Sequence, residues 1–223
     1  ESKPNVLLAT SIEGMLESWK NANILLDLVQ KGLNDYLEQK RLSFARLFFL
    51  SNDELLQILS ETKDPLRVQP HLGKCFEGIS KLDFDDKLII HGMISAEGEK
   101  VPFKTTLDPN AANGMVEKWL VQVESAMKEN VSLQCYRGHA DYTKRPRLEW
   151  PGMVILAVDQ IFWTRETEHA LATGGNKGLR EYEAKCTEQL DDVVRLVRTD
   201  LTKMQRTTLG AMVTLDVHGR DVL

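Results

Sequence analysis

The stretch from Phe44 to Phe76 constrains the fold most, because it holds both a start signal and a stop signal for a helix. Ser51 stands three residues before Glu54, which is the spacing of a capping box, in which each side chain accepts a hydrogen bond from the other residue's backbone N–H. The residues that follow form one apolar helix face: Leu55, Leu56, Ile58 and Leu59. This helix must end before Pro65, because the residue preceding a proline disfavours the helical conformation.

Short segments flank the capped helix on both sides. The apolar run from Leu47 to Leu50 is too short for an independent helix and predicts a buried extended segment. Pro70 suits the first position of a second short helix, where its missing N–H does no harm. The apolar stripe of that second helix has the spacing i, i+3, i+4 and i+7, at Leu72, Cys75, Phe76 and Ile79.

Helical patterns also occupy the N-terminal part and the middle of the chain. Residues 6–41 are helical in pattern, either as one helix or as two helices separated at Asn21–Asn23. A further helix starts near Gly114, and Asn110 or Asn113 is its expected cap. Several of these helices reach ~20 residues, or ~30 Å at the standard rise.

The last third of the chain predicts two more helices and a final element. Pro151 suits the start of a helix that is expected to reach about Leu171. Thr173–Asn176 contains two glycines and breaks the helical pattern. A long amphipathic helix is expected from Leu179 to Met204, and a last helix or strand over residues 207–217.

A change of hydrophobic period marks a β-hairpin in the middle of the chain. Residues 88–94 and 99–104 flank the turn Ser95–Gly98, in which Gly98 takes the position that needs a positive φ. Pro102 cannot donate a backbone hydrogen bond, so its strand is expected at a sheet edge. A two-stranded hairpin is marginal in water, so this one should lie against helices.

These elements predict a mainly α architecture, an elongated helical bundle with one small β-hairpin. We expect three parts: an N-terminal helical subdomain over residues 1–84, a β-hairpin insertion over residues 85–110, and a C-terminal helical subdomain over residues 111–223. The chain is long enough to bury a sizeable core. The expected shape is a rod rather than a compact globule.

Composition excludes several classes of protein. Lys and Arg (28) are fewer than Asp and Glu (33), and this acidic balance argues against a nucleic-acid-binding protein that works by neutralising phosphates. Three scattered cysteines indicate reduced thiols. The longest apolar run, Met153 to Val158, is far shorter than the ~20 residues of a membrane span. The first residue is Glu1 rather than Met, and we expect a fragment of a longer protein.

No motif for chemistry is complete in the sequence. Gly73-Lys74 and Gly174-Gly175 lack the glycine spacing of a phosphate-binding loop, so we expect no nucleotide site. His71 and Cys75 stand at i and i+4, but a structural zinc ion needs four ligands. The serine elbow of a hydrolase is absent. We therefore expect no catalytic, cofactor-binding or metal-binding residues in this chain.

A family resemblance runs through the same residues. The segments that carry it are Lys31-Gly-Leu-Asn-Asp-Tyr-Leu-Glu38, Phe49-Leu-Ser-Asn-Asp-Glu-Leu-Leu56, Lys63-Asp-Pro65, Pro70-His-Leu72, Lys74-Cys-Phe-Glu-Gly-Ile79, Val116-Glu-Lys-Trp-Leu120 and Asp216-Val-His218. In this order they resemble the linker region of dynein heavy chains. The runs Ser51–Leu59 and Pro70–Ile79 are more similar to axonemal than to cytoplasmic heavy chains.

The resemblance implies a mechanical role. A dynein linker is a largely helical rod that crosses a ring of six AAA+ modules, and its swing between bent and straight states moves the motor along a microtubule. ATP and Mg²⁺ bind the ring and not the linker. The implied partners are the AAA+ ring of the same heavy chain, microtubules and other dynein chains, with no nucleic acid and no membrane. The implied location is the axoneme of a cilium or flagellum.

Two places are predicted to matter for that role. Bending is expected at the Pro-containing and Gly-containing connection of residues 142–152, at Pro146, Pro151 and Gly152, or along the helix of residues 115–131 beside it. The charged hairpin tip is expected to touch a ring module or the adjacent linker through Glu97, Glu99 and Lys100. Two alternatives to the lever stay open: a freestanding helical scaffold that binds partner proteins, and a small enzyme whose site is not evident from motifs.

Overall fold

The computed structural model describes residues 10–60, 64–142 and 148–223. Six α-helices lie in these ranges: α1 Met15–Ser43, α2 Asn52–Ser60, α3 Leu72–Cys75, α4 Val116–Ala140, α5 Gly152–Val197 and α6 Lys203–Val222. Three strands form one sheet: β1 Lys81–Phe84, β2 Ile90–Ile94 and β3 Lys100–Leu107. Three 3-10 turns complete the elements, at Ala45–Phe49, Pro65–His71 and Pro109–Ala112. The predicted mainly α class with a small β-hairpin is confirmed.

The capping box at the start of α2 is confirmed. The backbone N–H of Glu54 donates to the Ser51 hydroxyl at 3.2 Å, and the N–H of Ser51 donates to the Glu54 carboxylate at 3.0 Å. The segment before it differs from the prediction, because Leu47–Leu50 is not extended. Ala45–Phe49 is a 3-10 turn that buries Leu47 while Phe48 and Phe49 face outward. A four-residue apolar run carries no period that distinguishes these two conformations.

The short helical segment that the sequence predicts from Pro70 begins earlier, as a 3-10 turn at Pro65. Asp64 caps the 3-10 turn through the N–H of Leu66 at 3.0 Å, and Pro65 takes its first position. Pro70 lies inside that turn, which passes directly into α3. The predicted apolar residues are all buried, but α3 ends at Cys75, so the stripe spans a helix and the loop after it.

The sheet has one strand more than the predicted hairpin. Its order is β1-β2-β3 and both pairs are antiparallel, so β3 is an edge strand and Pro102 lies on that edge as predicted. Gly98 has a φ of +93° at the predicted turn. Gly92 is required by close approach, because a Cβ there would lie 2.6 Å from the Val101 carbonyl oxygen. Strand β1 was missed because its four residues, Lys81–Phe84, are too few to show a strand period, and their pairing with β2 decides their conformation.

The sheet packs on α4 through a buried asparagine. Asn130 is 2% exposed, and its Oδ1 accepts from the N–H of Lys104 at 2.8 Å while its Nδ2 donates to the Ala126 carbonyl at 2.8 Å. The predicted caps of α4 are wrong. Asp108 caps the preceding 3-10 turn, and Asn113 adopts the left-handed conformation that asparagine tolerates, while Met115 precedes α4 without a side-chain cap.

Helix α1 is a single helix, which resolves the alternative at Asn21–Asn23. Its C-terminal end joins the body of the protein through Leu37, which is fully buried, and through Lys40. The Lys40 ammonium donates to the Glu117 carboxylate of α4 at 2.6 Å, largely out of solvent. Most of the other apolar side chains of α1 are exposed, in contrast to the core face that their spacing predicts.

Helix α5 is a helical hairpin with a break where the glycine pair predicts it. Gly175 has φ +53° and ψ −137°, and it separates a first arm, residues 152–174, from a second arm, residues 176–197. The arms fold back on each other, because Lys185 pairs with Glu166 at 2.6 Å. The second arm ends at Val197 rather than Met204, because Thr202 and Gln205 form a capping box that starts α6.

Two hydrophobic clusters organise the described chain. The first consists of buried residues between Leu37 in α1 and Phe103 in β3, together with Ala112 and buried residues of the first half of α4, from Val116 to Ala126. The second lies between the arms of α5 and α6 and contains Ile155, Val193, Leu209 and Met212. The division into parts 1–84, 85–110 and 111–223 stays a prediction.

The capping box makes one part of the stability dependent on pH. The Lys74 ammonium, 2.5 Å away, and the N–H of Ser51 lower the pKa of Glu54 from 4.5 to about 2. A carboxyl whose folded pKa is depressed stabilises the fold above its unfolded pKa and loses that contribution as pH falls toward the folded value. We expect Glu54→Gln to reduce the loss of stability between pH 4.5 and pH 2, measured as the urea midpoint at stepped pH.

The matched control is Asp53→Asn, which removes an exposed carboxylate from the same helical turn and leaves the capping box intact. This control should retain the wild-type slope of stability against pH. Equal slopes for Glu54→Gln and the wild type would contradict the assignment.

Candidate mechanical joint

The hairpin between β2 and β3 has a tightly ordered tip. The Ser95 hydroxyl accepts from the N–H groups of Glu97 and Glu99, each at 3.2 Å, and the N–H of Ser95 donates to the Glu99 carbonyl at 2.9 Å. These bonds hold the charged turn in one conformation. Glu97 therefore points into solvent at a defined position, and Glu99 is turned toward the body of the protein.

The Glu99 carboxylate lies at the start of α5. Its Oε1 accepts from the backbone N–H of Gly152 at 2.7 Å. Gly152 is the first helical residue. Its N–H has no acceptor within the helix and lies at the positive end of the helix dipole, where a carboxylate is favoured. Pro151, the residue before it, has no side-chain acceptor, so Glu99 supplies from a distant part of the chain the contact that a capping residue would provide locally.

A third element, helix α6, also lies close to Gly152. A Cβ built on Gly152 would lie 2.9 Å from the Thr208 hydroxyl of α6 and 3.2 Å from the Glu99 carboxylate. Only a glycine lets the hairpin tip, α5 and α6 approach this closely. We call this contact of Glu99, Gly152 and Thr208 the tip joint.

The other residues that the sequence predicts for the tip contact and for the hinge do not form one group. Lys100 pairs with Asp83 of β1 at 2.6 Å, so its charge is used within the sheet. Pro151 and Gly152 of the predicted hinge belong to the tip joint, whereas Pro146 lies outside the described residues. Helix α4 runs unbroken from Val116 to Ala140 and buries its first half in the first cluster. Where the chain bends and whether the tip touches a ring stay predictions.

A second set of contacts joins the end of α4 to α5. The Phe162 ring stacks on Tyr142 with centroids 4.0 Å apart and on His139 at 4.9 Å, and the Arg165 guanidinium lies 4.4 Å from its centroid. The Tyr142 hydroxyl donates to Asp159, which is 1% exposed. We call this set the aromatic clamp.

The aromatic clamp continues into a close helix contact. A Cβ on Gly138 would lie 2.9 Å from Val154 Cγ1, so α4 and α5 touch backbone to side chain. The tip joint and the aromatic clamp thus hold the two ends of the connection between α4 and α5 from different sides.

The sequence predicts two residues of the tip joint, Glu99 and Gly152, but neither their pairing nor the part of Thr208. Glu99 and Gly152 are separated by 53 positions along the chain. One local signal was present, because a helix that starts at Pro-Gly without Ser, Thr, Asp or Asn before it needs an acceptor from elsewhere. The aromatic clamp was missed, since dispersed aromatic residues carry no spacing rule.

The described residues do not bring together the ligands of a metal centre. They contain no group of three or more His, Cys, Asp or Glu side chains that could hold a metal ion. Burial raises the pKa of the Cys75 thiol to about 11, which is consistent with a residue of the core. None of the helices in these ranges is long and apolar enough to cross a membrane.

We expect Glu99→Ala to destabilise the protein by about 1 kcal/mol, the typical cost of removing a helix N-terminal acceptor. The matched control is Glu97→Ala, which removes an equal charge from the exposed side of the same turn and should change stability little. Urea unfolding of the three proteins at neutral pH measures the difference. Equal effects of the two substitutions would mean that the tip joint contributes nothing.

Comparison with known proteins agrees with the resemblance carried by the sequence. A family profile described as "Dynein heavy chain, N-terminal region 2" matches residues 1–138. The chain is 54% identical to dynein axonemal heavy chain 12 of Rattus norvegicus over 99% of this chain and 7% of that relative. It is 53% identical to dynein axonemal heavy chain 3 of Mus musculus, over 98% of this chain and 5% of the relative.

A third relative, dynein axonemal heavy chain 1 of Homo sapiens, is 46% identical over 94% of this chain and 5% of its own length. The chain therefore spans 5–7% of the length of these relatives. The profile covers more than half of the chain, and the predicted similarity to axonemal heavy chains is confirmed. The chain belongs to the dynein heavy chain family, in which it corresponds to part of the N-terminal region of an axonemal heavy chain.

Proposed function

We propose that this chain is a stretch of the linker, the mechanical lever of an axonemal dynein motor. In this role it converts ATP-driven changes of an AAA+ ring into a swing that produces microtubule-based movement of cilia or flagella. Its partners are the ring of the same heavy chain and, through the whole motor, microtubules and other dynein chains. ATP and Mg²⁺ bind the ring, and this stretch contributes no nucleotide site.

The tip joint is the observation that carries the proposal. A lever needs rigid parts connected at a defined place, because close-packed interiors deform little and motion concentrates at joints. Here two hydrophobic clusters are joined through a helix, a stacked clamp and one carboxylate that holds a helix N-terminus. The joint is small compared with the clusters, so it is the natural place for a swing to begin.

The hairpin tip offers one charge for an outside contact. Glu97 is exposed, whereas Glu99 is bound to Gly152 and Lys100 to Asp83. We assign the ring contact to Glu97 and to the exposed turn beside it. Glu99 then transmits a force on the hairpin tip to the start of α5.

A reversible cross-link tests whether the α4–α5 contact, which lies beside the tip joint, opens in the full-length motor. Gly138→Cys with Val154→Cys places two thiols where the Cβ of one already lies near the other side chain, which suits a disulfide. We expect the oxidised motor to glide more slowly on microtubules than the same motor after reduction, because the α4–α5 contact can no longer open. The single-cysteine variants control for the substitutions themselves. Unchanged gliding with a verified cross-link would overturn the proposal that the lever bends between α4 and α5.

An assay with Mg·ATP distinguishes the proposed lever from the alternative of a small enzyme. We expect the 223-residue chain alone to show neither hydrolysis of Mg·ATP nor a shift of its melting temperature with added Mg·ATP. The physical reason is the missing phosphate-binding loop, since Gly73-Lys74 lies in α3 and Gly174-Gly175 in the turn of α5. Turnover by the purified chain would contradict the lever proposal.

A further inference from the structure

The strongest unexplained feature is an apolar stripe along the N-terminal two-thirds of α1. Its side chains are each 38–67% exposed, although they are large and apolar. At 100° per residue they fall within one sector of the helix: Trp19, Leu25, Leu26, Val29, Leu33 and Tyr36. Single exposed apolar residues are ordinary, but a contiguous stripe of this length marks an interaction site.

The stripe continues a contact that the structure already contains. Leu37 lies in the same sector and is fully buried against the first cluster. Among the described residues, the side-chain hydrogen bonds of α1 to other elements begin at Asn34, whose Oδ1 accepts from Asn52 at 3.4 Å, and continue through Lys40 and Arg41. Residues 15–33 therefore project from the body by ~28 Å with the same face turned outward.

A projecting helix of this kind needs a partner. Amphipathic helices in proteins owe most of their stability to packing of the apolar face rather than to helix propensity. The opposite face of α1 carries the charged residues Lys20, Asp27, Lys31 and Glu38, with Leu16 and Ile24 at its margins. The pattern is that of a helix with one covered side and one side in water.

The occupant is indicated by the length of the relatives and by the turn before α1. More than nine-tenths of each axonemal relative lies outside the region matched here. The N–H of Met15 donates to the Ile12 carbonyl at 3.2 Å, and Gly14 has a φ of +76°, so the chain turns sharply as it enters α1. A segment that enters through a tight turn can run back along the helix as its antiparallel neighbour.

We propose that the stripe of α1 is covered by an amphipathic helix from the heavy-chain segment that directly precedes residue 1. This inference rests on the proposed function only in requiring that the chain be part of a longer heavy chain. The covering helix extends the first hydrophobic cluster away from the tip joint. It turns α1 from a projecting arm into part of the rod.

Hydrogen exchange of the full-length heavy chain tests the proposal. We expect the amides of residues 15–33 to be protected, together with one helix in the preceding segment. Leu25→Asp combined with Val29→Asp places two charges at the centre of the stripe and should speed exchange in both places by about tenfold or more. The matched control, Lys31→Asp, changes the net charge by the same two units on the polar face and should leave the preceding segment protected.

Footprinting of the unmodified protein covers the case in which the double variant fails to fold. Trp19 is 59% exposed in this structure, and we expect its oxidation by hydroxyl radicals to be suppressed in the intact heavy chain. Rapid oxidation of Trp19, protection that depends on protein concentration, or loss of protection in a segment other than the preceding one would each overturn the inference. A motor that glides normally with an exposed stripe contradicts this inference alone, whereas a parent chain without AAA+ modules contradicts the proposed function.

Discussion

Glu99 holds together parts of the chain that share no core. Its carboxylate, at the hairpin tip, accepts from the first N–H of α5, and Thr208 of α6 lies close to the same glycine. A single charge-assisted contact is modest in energy. The place of this contact is what distinguishes it, because it connects the hairpin tip beside the first hydrophobic cluster to the start of a helix in the second.

The first cluster gains its rigidity in a different way. Besides its apolar packing, it has polar contacts in buried positions, such as Asn130 between α4 and β3 and the Lys40–Glu117 pair between α1 and α4. Groups of this kind are costly when a partner is lost, so they favour one arrangement over its alternatives. Linking of α1, the sheet and α4 as one unit gives the hairpin tip a firm base.

Local signals in the sequence predicted local structure well. The capping box at Ser51, the turn at Gly98 and the break at Gly175 each depend on a few neighbouring residues, and all three are confirmed. The 3-10 turn at Ala45–Phe49 and strand β1 were missed because tertiary packing decides them. The pairing of Glu99 with Gly152 could not be read from any spacing, since nothing local relates positions so far apart.

The helical hairpin of α5 has a geometric consequence. Its two arms are of nearly equal length, about 34 Å each at the standard rise, and the turn at Gly175 lies at the end remote from the tip joint. Gly178 lies so close to the Ala170 carbonyl that the turn has little freedom of its own. A rotation of about 10° at the base would thus move the turn by roughly 6 Å as a solid body. A small rotation at the base of the α5 hairpin therefore displaces its far turn by about the pitch of one helical turn.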